Sequence, residues 1–389
     1  MPSSPTPLHQ ATLAEQGVLR PTHLRVSLST LRQNFEAIRA FMGDVKVMPV
    51  LKANAYGHGL VPVAQLYDGL GVSYLGVAYL EEGMRLRREG VSAPILVLGG
   101  ILGSQIPLFI EHDLTLTASS VDKLRAIDAC AASMGRVARV HLKIDTGMER
   151  IGVHWYSAPK LLEASLACDH VVVEGIYSHF ANADAADLTH ARLQMERFHE
   201  VLDFYSARSL PTPVRHMANS AAMAGLSSSH FDMVRPGLLC FGVYPSEHVP
   251  RTIEVRPAMS WVSRVVYFKV VRPGSPVSYG STWAPDQLTR MVTVPVGYGD
   301  GYLRSMSGQA EVILNGERYP VRGRICMDQV VVDIGWSSAY NGDEVILLGA
   351  GQGQRLSVEE LAQWAGTIPY EVLTSINTRV PRVYEDEQI

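Results

Sequence analysis

Lys52 is the first residue of this sequence whose position suggests chemistry. It lies inside the apolar strand candidate Val45–Ala53, which ends in the segment Val50–Gly59 (VLKANAYGHG). Burial lowers the pKa of a lysine because it disfavours the charged form, and a neutral amine can form a Schiff base with an aldehyde. The alternative is a structural lysine whose stem packs among apolar residues while its amine reaches solvent.

Two short segments further along the chain are typical of a phosphate site. Asn219-Ser220 and Gly237-Leu238 follow the last two of eight predicted strands. In barrel enzymes the loops at this place often hold phosphate through backbone N–H groups, a hydroxyl and a helix N-terminus. Ordinary turn chemistry of Asn and Ser is the alternative.

Two further polar residues stand at strand ends. Arg235 can pair with a carboxylate, a phosphate or a heterocycle nitrogen, or form a salt bridge with a loop carboxylate. His179 can act as a base or ligand, or be a hydrogen-bonded core histidine. Taken together, the strand-end Lys52, the phosphate corner and Arg235 suggest pyridoxal 5'-phosphate (PLP), because that cofactor needs a lysine, a phosphate site and a partner for its ring nitrogen.

The elements that must position these residues alternate along the chain from about residue 22. Helical spacing is clearest in Leu31, Phe35, Ile38 and Met42, and in Ala191, Met195, Phe198, Leu202 and Tyr205. The eight strand candidates are Val45–Ala53, Ser73–Ala78, Ile95–Gly99, Leu114–Ala118, Val137–Asp145, Val172–His179, Val214–Ser220 and Asp232–Phe241. Parallel strands need such crossover helices, and eight units favour a TIM-type (β/α)8 barrel. An open doubly wound sheet is the alternative.

The pattern changes after about residue 258. Short strand candidates separated by turn signals then follow: Ser260–Val271, Thr293–Val296, Glu311–Leu314, Glu317–Gly323, Gln329–Ile334 and Glu344–Leu348. Helical spacing is confined mainly to Val358–Trp364. We therefore predict a loose tail over residues 1–20, an α/β barrel over residues 21–255 and a mainly β C-terminal domain over residues 256–389.

The composition of the 389 residues excludes several classes of protein. Hydrophobic residues make up 47%, which is enough for a sizeable core and excludes disorder as the main state. A net charge of -4 gives no domain-wide basic field for nucleic acid. The four cysteines show neither disulfide nor metal spacing, so no metal site is expected. With no signal-peptide pattern and no membrane-spanning run, we expect a cytoplasmic enzyme.

The whole set of motifs resembles the bacterial alanine racemases, which are fold-type III PLP enzymes. The resemblance runs from about Arg20 to about Tyr384. Its most specific element is VLKANAYGHG, which is similar to the PLP-lysine signature of that family. The supporting segments are HLKIDTGMERIG (His141–Gly152), YSHFANAD (Tyr177–Asp184), HMANSAA (His216–Ala222), VSYGSTW (Val277–Trp283), GYGDGY (Gly297–Tyr302), GRICMDQ (Gly323–Gln329) and PYEV (Pro369–Val372).

The resemblance implies roles for particular residues. Lys52 would carry PLP and serve as one catalytic base, and Tyr279 would be the other. The cofactor would also contact Tyr56, His179, Asn219, Ser220, Arg235, Gly237, Leu238 and Tyr370. The residues implied to bind or line the substrate site are Arg150, Tyr298, Cys326, Met327 and Asp328. Lys143 matches the lysine that is carbamylated in many members.

The resemblance also implies the overall activity. The enzyme would be an isomerase that interconverts L-alanine and D-alanine and supplies D-alanine for peptidoglycan. Two bases on opposite faces of Cα suit a racemase, since the proton leaves one face and returns on the other. A homodimer is implied as well, in which Tyr279 of one subunit serves the barrel of the other.

Three other functions remain open from the sequence. A decarboxylase of the same architecture would use an acidic partner for the ring nitrogen, which Arg235 does not supply. A racemase with broader specificity, for serine or basic amino acids, would differ only in pocket size. A PLP-binding protein without turnover would need no second domain, whereas this chain has one that carries Tyr279, Tyr298 and Met327.

Overall fold

A computed structural model describes residues 18–351 and 353–385. The chain divides into two compact units. We call Leu28–Ala258 the barrel unit, and we call the described parts of Met1–Ser27 and Met259–Ile389 the β unit. Most of the predicted N-terminal tail, residues 1–17, lies outside the described residues.

The first strand of the described chain is β1 (His23–Ser27), which belongs to the β unit. The strands of the barrel unit are β2 (Lys46–Val47), β3 (Leu75–Val77), β4 (Ile95–Val97), β5 (Leu116–Ala118), β6 (Ala138–Asp145), β7 (Val153–His154), β8 (Val171–Tyr177), β9 (Val214–His216) and β10 (Met233–Val234). Its helical segments are α1 (Leu28–Met42), α2 (Lys52–Tyr56), α3 (Leu60–Gly69), α4 (Leu80–Arg88), α5 (Ile106–Glu111), α6 (Val121–Ser133), α7 (Ala158–Leu166), α8 (Thr189–Ser206) and α9 (Ser220–Gly225).

Eight parallel strands of the barrel unit form a closed ring. Ladders join them in the order β2-β10-β9-β8-β6-β5, and β3 pairs with β4. Two parallel bridges, Val50 to Gly76 and Leu96 to Thr115, connect the β3-β4 pair to β2 on one side and to β5 on the other. The predicted TIM-type barrel is therefore confirmed, and β7 pairs with β6 outside the ring.

The predicted strands are in the right places, but several are too long. The first is a regular strand only over Lys46–Val47, and the prediction Val45–Ala53 is wrong at its end because Lys52 begins α2. The prediction Val214–Ser220 is wrong at its end, since Ser220 begins α9. The prediction Asp232–Phe241 is also too long, because the chain turns into a short 3₁₀ helix at Leu238–Phe241.

The two helices predicted from spacing are confirmed. In α1 the predicted apolar residues Leu31, Phe35, Ile38 and Met42 are all buried. In α8 the buried face includes Ala191, Met195, Phe198, Leu202 and Tyr205, as predicted. These faces cover the outside of the barrel, as the crossover helices of a parallel sheet must.

The β unit is a mostly antiparallel sheet with two helices. Beyond β1, its strands are β11 (Met259–Arg264), β12 (Tyr267–Val271), β13 (Thr289–Val294), β14 (Glu311–Leu314), β15 (Glu317–Arg322), β16 (Val330–Gly335), β17 (Glu344–Gly351), β18 (Gln354–Leu356) and β19 (Arg382–Glu385). The helices are α10 (Val358–Ala365) and α11 (Pro369–Ser375). The strand order is β12-β13-β16-β15-β14-β17-β11-β1-β19, and β18 pairs with β17.

Two predictions about the β unit need correction. The single strand predicted over Ser260–Val271 is two strands, β11 and β12. The predicted domain boundary at residue 21 is also wrong, because β1 pairs with β11 and with β19 and so belongs to the β unit. Neither pairing is local, so the sequence offers no pattern for it. Within the described ranges, no helix is both long and apolar enough to cross a membrane.

Gly175 in β8 tests how tightly the barrel interior is packed. A Cβ at this position would lie 2.5 Å from Nδ1 of His141, whose buried ring is hydrogen-bonded to His216. We expect Gly175→Ala to lower the free energy of unfolding by about 1–3 kcal/mol, because the ring would have to move in a close-packed core. The control is Gly69→Ala in α3, where a Cβ meets nothing within 4 Å. Thermal unfolding followed by circular dichroism compares the two, and equal midpoints would contradict this account.

Candidate active site

Lys52 begins a strained turn at the end of the first barrel strand. The four residues after it have positive φ angles of 54°, 57°, 53° and 49°. A left-handed conformation costs about 1–2 kcal/mol for each residue with a side chain. Such strain persists only where the surroundings fix it, and it concentrates at functional sites.

Two side chains hold this turn in place. Asn54 accepts a hydrogen bond from the backbone N–H of Leu60 at 2.9 Å. Glu82 on α4 accepts one from the N–H of Ala53 at 2.8 Å and, through its other oxygen, one from the N–H of Ala78 at 2.8 Å. The turn is thereby fixed to the loop that leads into α4. Sequence reasoning missed Glu82, although a glutamate in the first turn of a helix was a usable signal.

The surroundings of Lys52 favour its neutral amine. The side chain is half-buried. Burial lowers the pKa of Lys52, the positive charge of Arg150 lowers it further, and Glu82 opposes both effects. A lowered pKa makes more of the free amine available for bond formation or proton transfer.

Arg235 places a positive charge inside the barrel, and four groups accept its hydrogen bonds. Nη1 donates to Nδ1 of His216 at 2.9 Å, and Nη2 donates to the carbonyls of Ser178 at 2.7 Å and Met217 at 3.0 Å. Nη2 also contacts Nδ1 of His179 at 3.1 Å. Burial lowers the pKa of Arg235 to about 10, so the group stays charged near neutral pH. Among the described residues, no hydrogen bond uses its Nε–H.

The histidines next to Arg235 are held neutral, and their tautomers follow from the hydrogen bonds. Because an arginine only donates, Nδ1 of His216 must accept. Its Nε2 then carries the proton and donates to Nδ1 of His141 at 2.8 Å. The remaining Nε2–H of His141 is buried without a partner among the described residues. Burial and the charge of Arg235 lower the pKa of both rings, that of His141 to about 3. The same two causes place the pKa of His179 well below its ordinary value.

Lys143 is a second lysine with a depressed pKa. It is buried in β6, where Nζ donates to the carbonyl of Ile144 at 3.3 Å and lies 4.7 Å from the ring centroid of Tyr177. Burial and the charge of Arg235 lower its pKa well below the ordinary value, and Asp145 offsets only part of this. Burial with one long hydrogen bond thus favours the neutral form of this amine, which is the form that acts as a nucleophile.

The loop after β6 presents Arg150. The buried carboxylate of Asp145 accepts backbone N–H groups from Gly147, Met148 and Glu149 through Oδ1, and that of Arg150 through Oδ2 at 3.1 Å. Burial alone would raise the pKa of Asp145, but these four hydrogen bonds lower it. The backbone of Arg150 is thus fixed while its side chain stays exposed. Such an arginine can bind a carboxylate.

The predicted phosphate corner is assembled from residues after the last two barrel strands. Ser220 Oγ accepts N–H groups from Gly237 at 2.9 Å and Leu239 at 3.3 Å. Asn219 caps α9 by accepting the N–H of Ala222 at 3.0 Å. A Cβ on Gly237 would lie 2.4 Å from the hydroxyl of Tyr56, so only glycine allows that hydroxyl to rest on the backbone. Leu238, the remaining predicted residue, is buried at the start of the 3₁₀ turn. These groups suit an anion.

The other predicted site residues lie in the β unit. Tyr279, Tyr298 and Met327 project from loops with exposed fractions of 71%, 41% and 52%. Cys326 is partly buried, and Asp328 accepts a hydrogen bond from Arg379 at 2.7 Å. Tyr370 is half-buried near the start of α11. The sequence-predicted residues are thus divided between the units, and those of the barrel unit gather around Lys52 and Arg235.

The fold and this site define the class of barrel proteins that carry polar and charged side chains at the ends of their strands, where barrel enzymes have their active sites. Family models agree: residues 26–245 match the N-terminal domain of alanine racemase, and residues 258–384 match its C-terminal domain. The chain belongs to the alanine racemase family.

Individual relatives match nearly the whole chain. The alanine racemase of Desulforamulus reducens is 42% identical, and the match covers 94% of this chain and 99% of that relative. The alanine racemase of Halothermothrix orenii is 39% identical, and the match covers 95% of this chain and 98% of that relative. Among solved structures, the alanine racemase from D-cycloserine-producing Streptomyces lavendulae has a TM-score of 0.91 at 37% identity, covering 95% of this chain and 98% of that one. The enzyme from Bacillus anthracis with bound L-Ala-P has a TM-score of 0.88 at 33% identity, covering 95% and 96%.

The neutral state of His141 predicts a dependence of stability on pH. Its pKa is about 3 in the folded protein and near 6.5 in the unfolded chain, so the unfolded chain binds more protons between these values. Stability therefore falls as the pH drops below 6.5, by up to about 1.4 kcal/mol per pH unit for this ring. We expect His141→Gln to reduce that slope in urea unfolding between pH 6.5 and 5. The exposed His248→Gln is the control, and equal slopes in all three proteins would contradict the assignment.

Proposed function

We propose that this enzyme interconverts L-alanine and D-alanine with PLP bound at the end of the barrel. The observation that carries the proposal is Lys52, a lysine of lowered pKa at a strand end, beside the buried Arg235 and the Ser220–Gly237 corner. Membership of the family supports alanine as the substrate.

The described residues fit PLP in three respects. The Lys52 amine can hold the aldehyde carbon, and the free Nε–H of Arg235 can donate to the ring nitrogen. The phosphate would be held by the hydroxyls of Tyr56 and Ser220, the side chain of Asn219 and the backbone of Leu238. The backbone of Gly237, whose N–H donates to Ser220 Oγ in this structure, would complete the corner. His179 would lie beside the ring, and Tyr370 would add a hydroxyl at the phosphate. When bound, PLP supplies a conjugated system that delocalises the electron pair left at Cα.

The protein's own groups move the proton. The Lys52 amine takes the Cα proton of D-alanine, and the Tyr279 oxygen takes that of L-alanine from the opposite face. Each base returns a proton when the reaction runs the other way, so the configuration inverts. Arg150 binds the substrate carboxylate in a fork-like pair and thereby orients Cα between the bases. Tyr298, Cys326, Met327 and Asp328 line the space around the substrate side chain.

A homodimer would bring the two sets of residues together. The exposure of Tyr279, Tyr298 and Met327 supports this assembly, because large side chains of a catalytic site are expected to be covered in the working enzyme. In the dimer Tyr279 of one subunit would serve Lys52 of the other. The free thiols of Cys130, Cys168, Cys240 and Cys326 are consistent with the reducing cytoplasm as the setting, where the D-alanine would serve peptidoglycan.

Lys143 would carry a carbamate. A neutral amine adds to carbon dioxide: the nitrogen forms a bond to the carbon, and one proton leaves to solvent. The product is an anion, which would replace a lysine that has one weak hydrogen bond and two arginines among its charged neighbours. The new charge would steady Arg150 for the substrate carboxylate.

The two bases predict different consequences of substitution. Lys52→Ala should lose covalent PLP, measured as the mass added after borohydride reduction, whereas the exposed Lys160→Ala should keep it. Tyr279→Phe should keep that added mass and lose at least about a hundredfold in conversion of L-alanine to D-alanine, since it lacks a general base. Tyr340→Phe, at another exposed tyrosine of the β unit, is its control. A Tyr279→Phe enzyme with full activity would refute the two-base assignment.

The carbamate has its own test. Wild-type protein equilibrated with ¹³C-bicarbonate should show one carbamate resonance in the ¹³C spectrum, because the lowered pKa of Lys143 favours the neutral amine that adds carbon dioxide. Lys143→Arg should remove that resonance, since a guanidinium does not add carbon dioxide under these conditions. Lys160→Arg should leave it unchanged. A resonance that survives Lys143→Arg would assign the modification elsewhere.

A further inference from the structure

Three loops of the β unit carry the exposed site residues. They comprise residues 277–283, 297–302 and 324–329, and we call them the loop platform. Tyr279 lies in the first loop, Tyr298 in the second and Met327 in the third. All three loops belong to the same compact unit.

Direct hydrogen bonds join the loops to one another. The N–H of Tyr298 donates to the carbonyl of Cys326 at 3.0 Å, and the N–H of Gly299 donates to that of Met327 at 2.9 Å. The first loop is joined to the third because the hydroxyl of Ser278 donates to the carbonyl of Arg324. A displacement of one loop must therefore displace the others.

One buried carboxylate belongs to the second loop of the platform. Asp300 is fully buried, and both of its oxygens accept hydrogen bonds from Arg20 at 2.6 Å. Its Oδ1 also accepts from Nε of Arg379 at 2.6 Å, and its Oδ2 accepts the N–H of Gly297 at 3.0 Å. The same Arg379 donates to Asp328 in the third loop at 2.7 Å. Asp300 and Arg379 thus connect the second loop to the third.

The ion pairs of Asp300 depend on its charge. Burial alone would raise the pKa of Asp300, but hydrogen bonds from Arg20 and Arg379 lower it. A neutral amide at this position would remove the counter-charge of Arg20 and one of the two carboxylates that Arg379 contacts. Loss of a buried charge from such a pair is more disruptive than the loss of a surface pair. The arginines would then move, and Arg379 would take Asp328 with it.

We propose that Asp300 is a positioning residue for the reaction, which holds the loop platform so that Tyr279 reaches the substrate Cα. The inference rests on the proposed function. The inference concerns only one of the two proton transfers, because the loop platform carries Tyr279 and the barrel unit carries Lys52. Loss of Asp300 should impair proton transfer on the Tyr279 side and spare proton transfer on the Lys52 side.

The experiment measures both sides in the full-length enzyme loaded with PLP. In D₂O, exchange of the Cα proton of D-alanine with retention reports Lys52, and conversion of L-alanine to D-alanine requires Tyr279. In Asp300→Asn we expect the conversion to fall at least about tenfold, as misplaced catalytic groups do. The rate at which D-alanine exchanges its Cα proton with retention of configuration should stay within about twofold of wild type. The amount of bound PLP should be unchanged.

Two further variants keep the result interpretable. Glu344→Gln removes the Arg25 ion pair of 2.5 Å elsewhere in the β unit and should change neither rate. Arg379→Lys keeps the charge but lacks the two separate donors that contact Asp300 and Asp328. We expect a smaller loss of conversion from L-alanine to D-alanine with the exchange of D-alanine spared. This variant tests the inference if Asp300→Asn fails to fold. A platform role also predicts faster amide exchange in residues 297–302 and 324–329 of Asp300→Asn.

The outcomes distinguish this inference from the proposed function. If Asp300→Asn loses the conversion, the exchange of D-alanine and the bound PLP to the same extent, then Asp300 has a general structural role and the inference is overturned. A folded Asp300→Asn with unchanged rates would also overturn it. A wild-type enzyme that exchanges neither isomer would instead contradict the proposed function, before any variant is compared.

Discussion

The permanent charge of Arg235 inside the barrel governs the protonation of the residues around it. Its guanidinium is satisfied by two carbonyls and by the neutral rings of His216 and His179. Burial is the largest cause that lowers the pKa of both Lys52 and Lys143. The charge of Arg235 is the next cause for Lys143, and for Lys52 it adds to the larger effect of Arg150. Neutral amines are what a lysine base and a carbamate both require.

The β unit is organised around a buried charge of the opposite sign. Asp300 is held by Arg20 and Arg379, and it belongs to one of the loops that present large exposed side chains. Each unit therefore supplies a different part of the proposed chemistry. The barrel unit provides cofactor-binding groups and one base, and the β unit provides the second base on a surface fixed by ion pairs.

Much of the site could be predicted from the sequence, because its residues belong to short, specific motifs. Lys52, Ser220 and Arg235 follow apolar strands in a recognisable order, and the barrel followed from the alternation of strands and helices.

Contacts between distant residues could not be predicted. Arg20 and Asp300 are 280 positions apart, and no periodicity connects them. The tautomers of His141 and His216 could not be predicted either, since they depend on which ring nitrogen of His216 faces Arg235 and which faces His141.

The most direct test of the account is the formation of D-alanine from L-alanine by the purified enzyme with PLP, with L-serine measured in parallel. The account predicts rapid interconversion of alanine and little turnover of serine, since one additional hydroxyl must be accommodated in a site proposed to fit a methyl group. Rapid turnover of both would point to a racemase of broader specificity. A protein that holds PLP on Lys52 and interconverts neither amino acid would contradict the central claim.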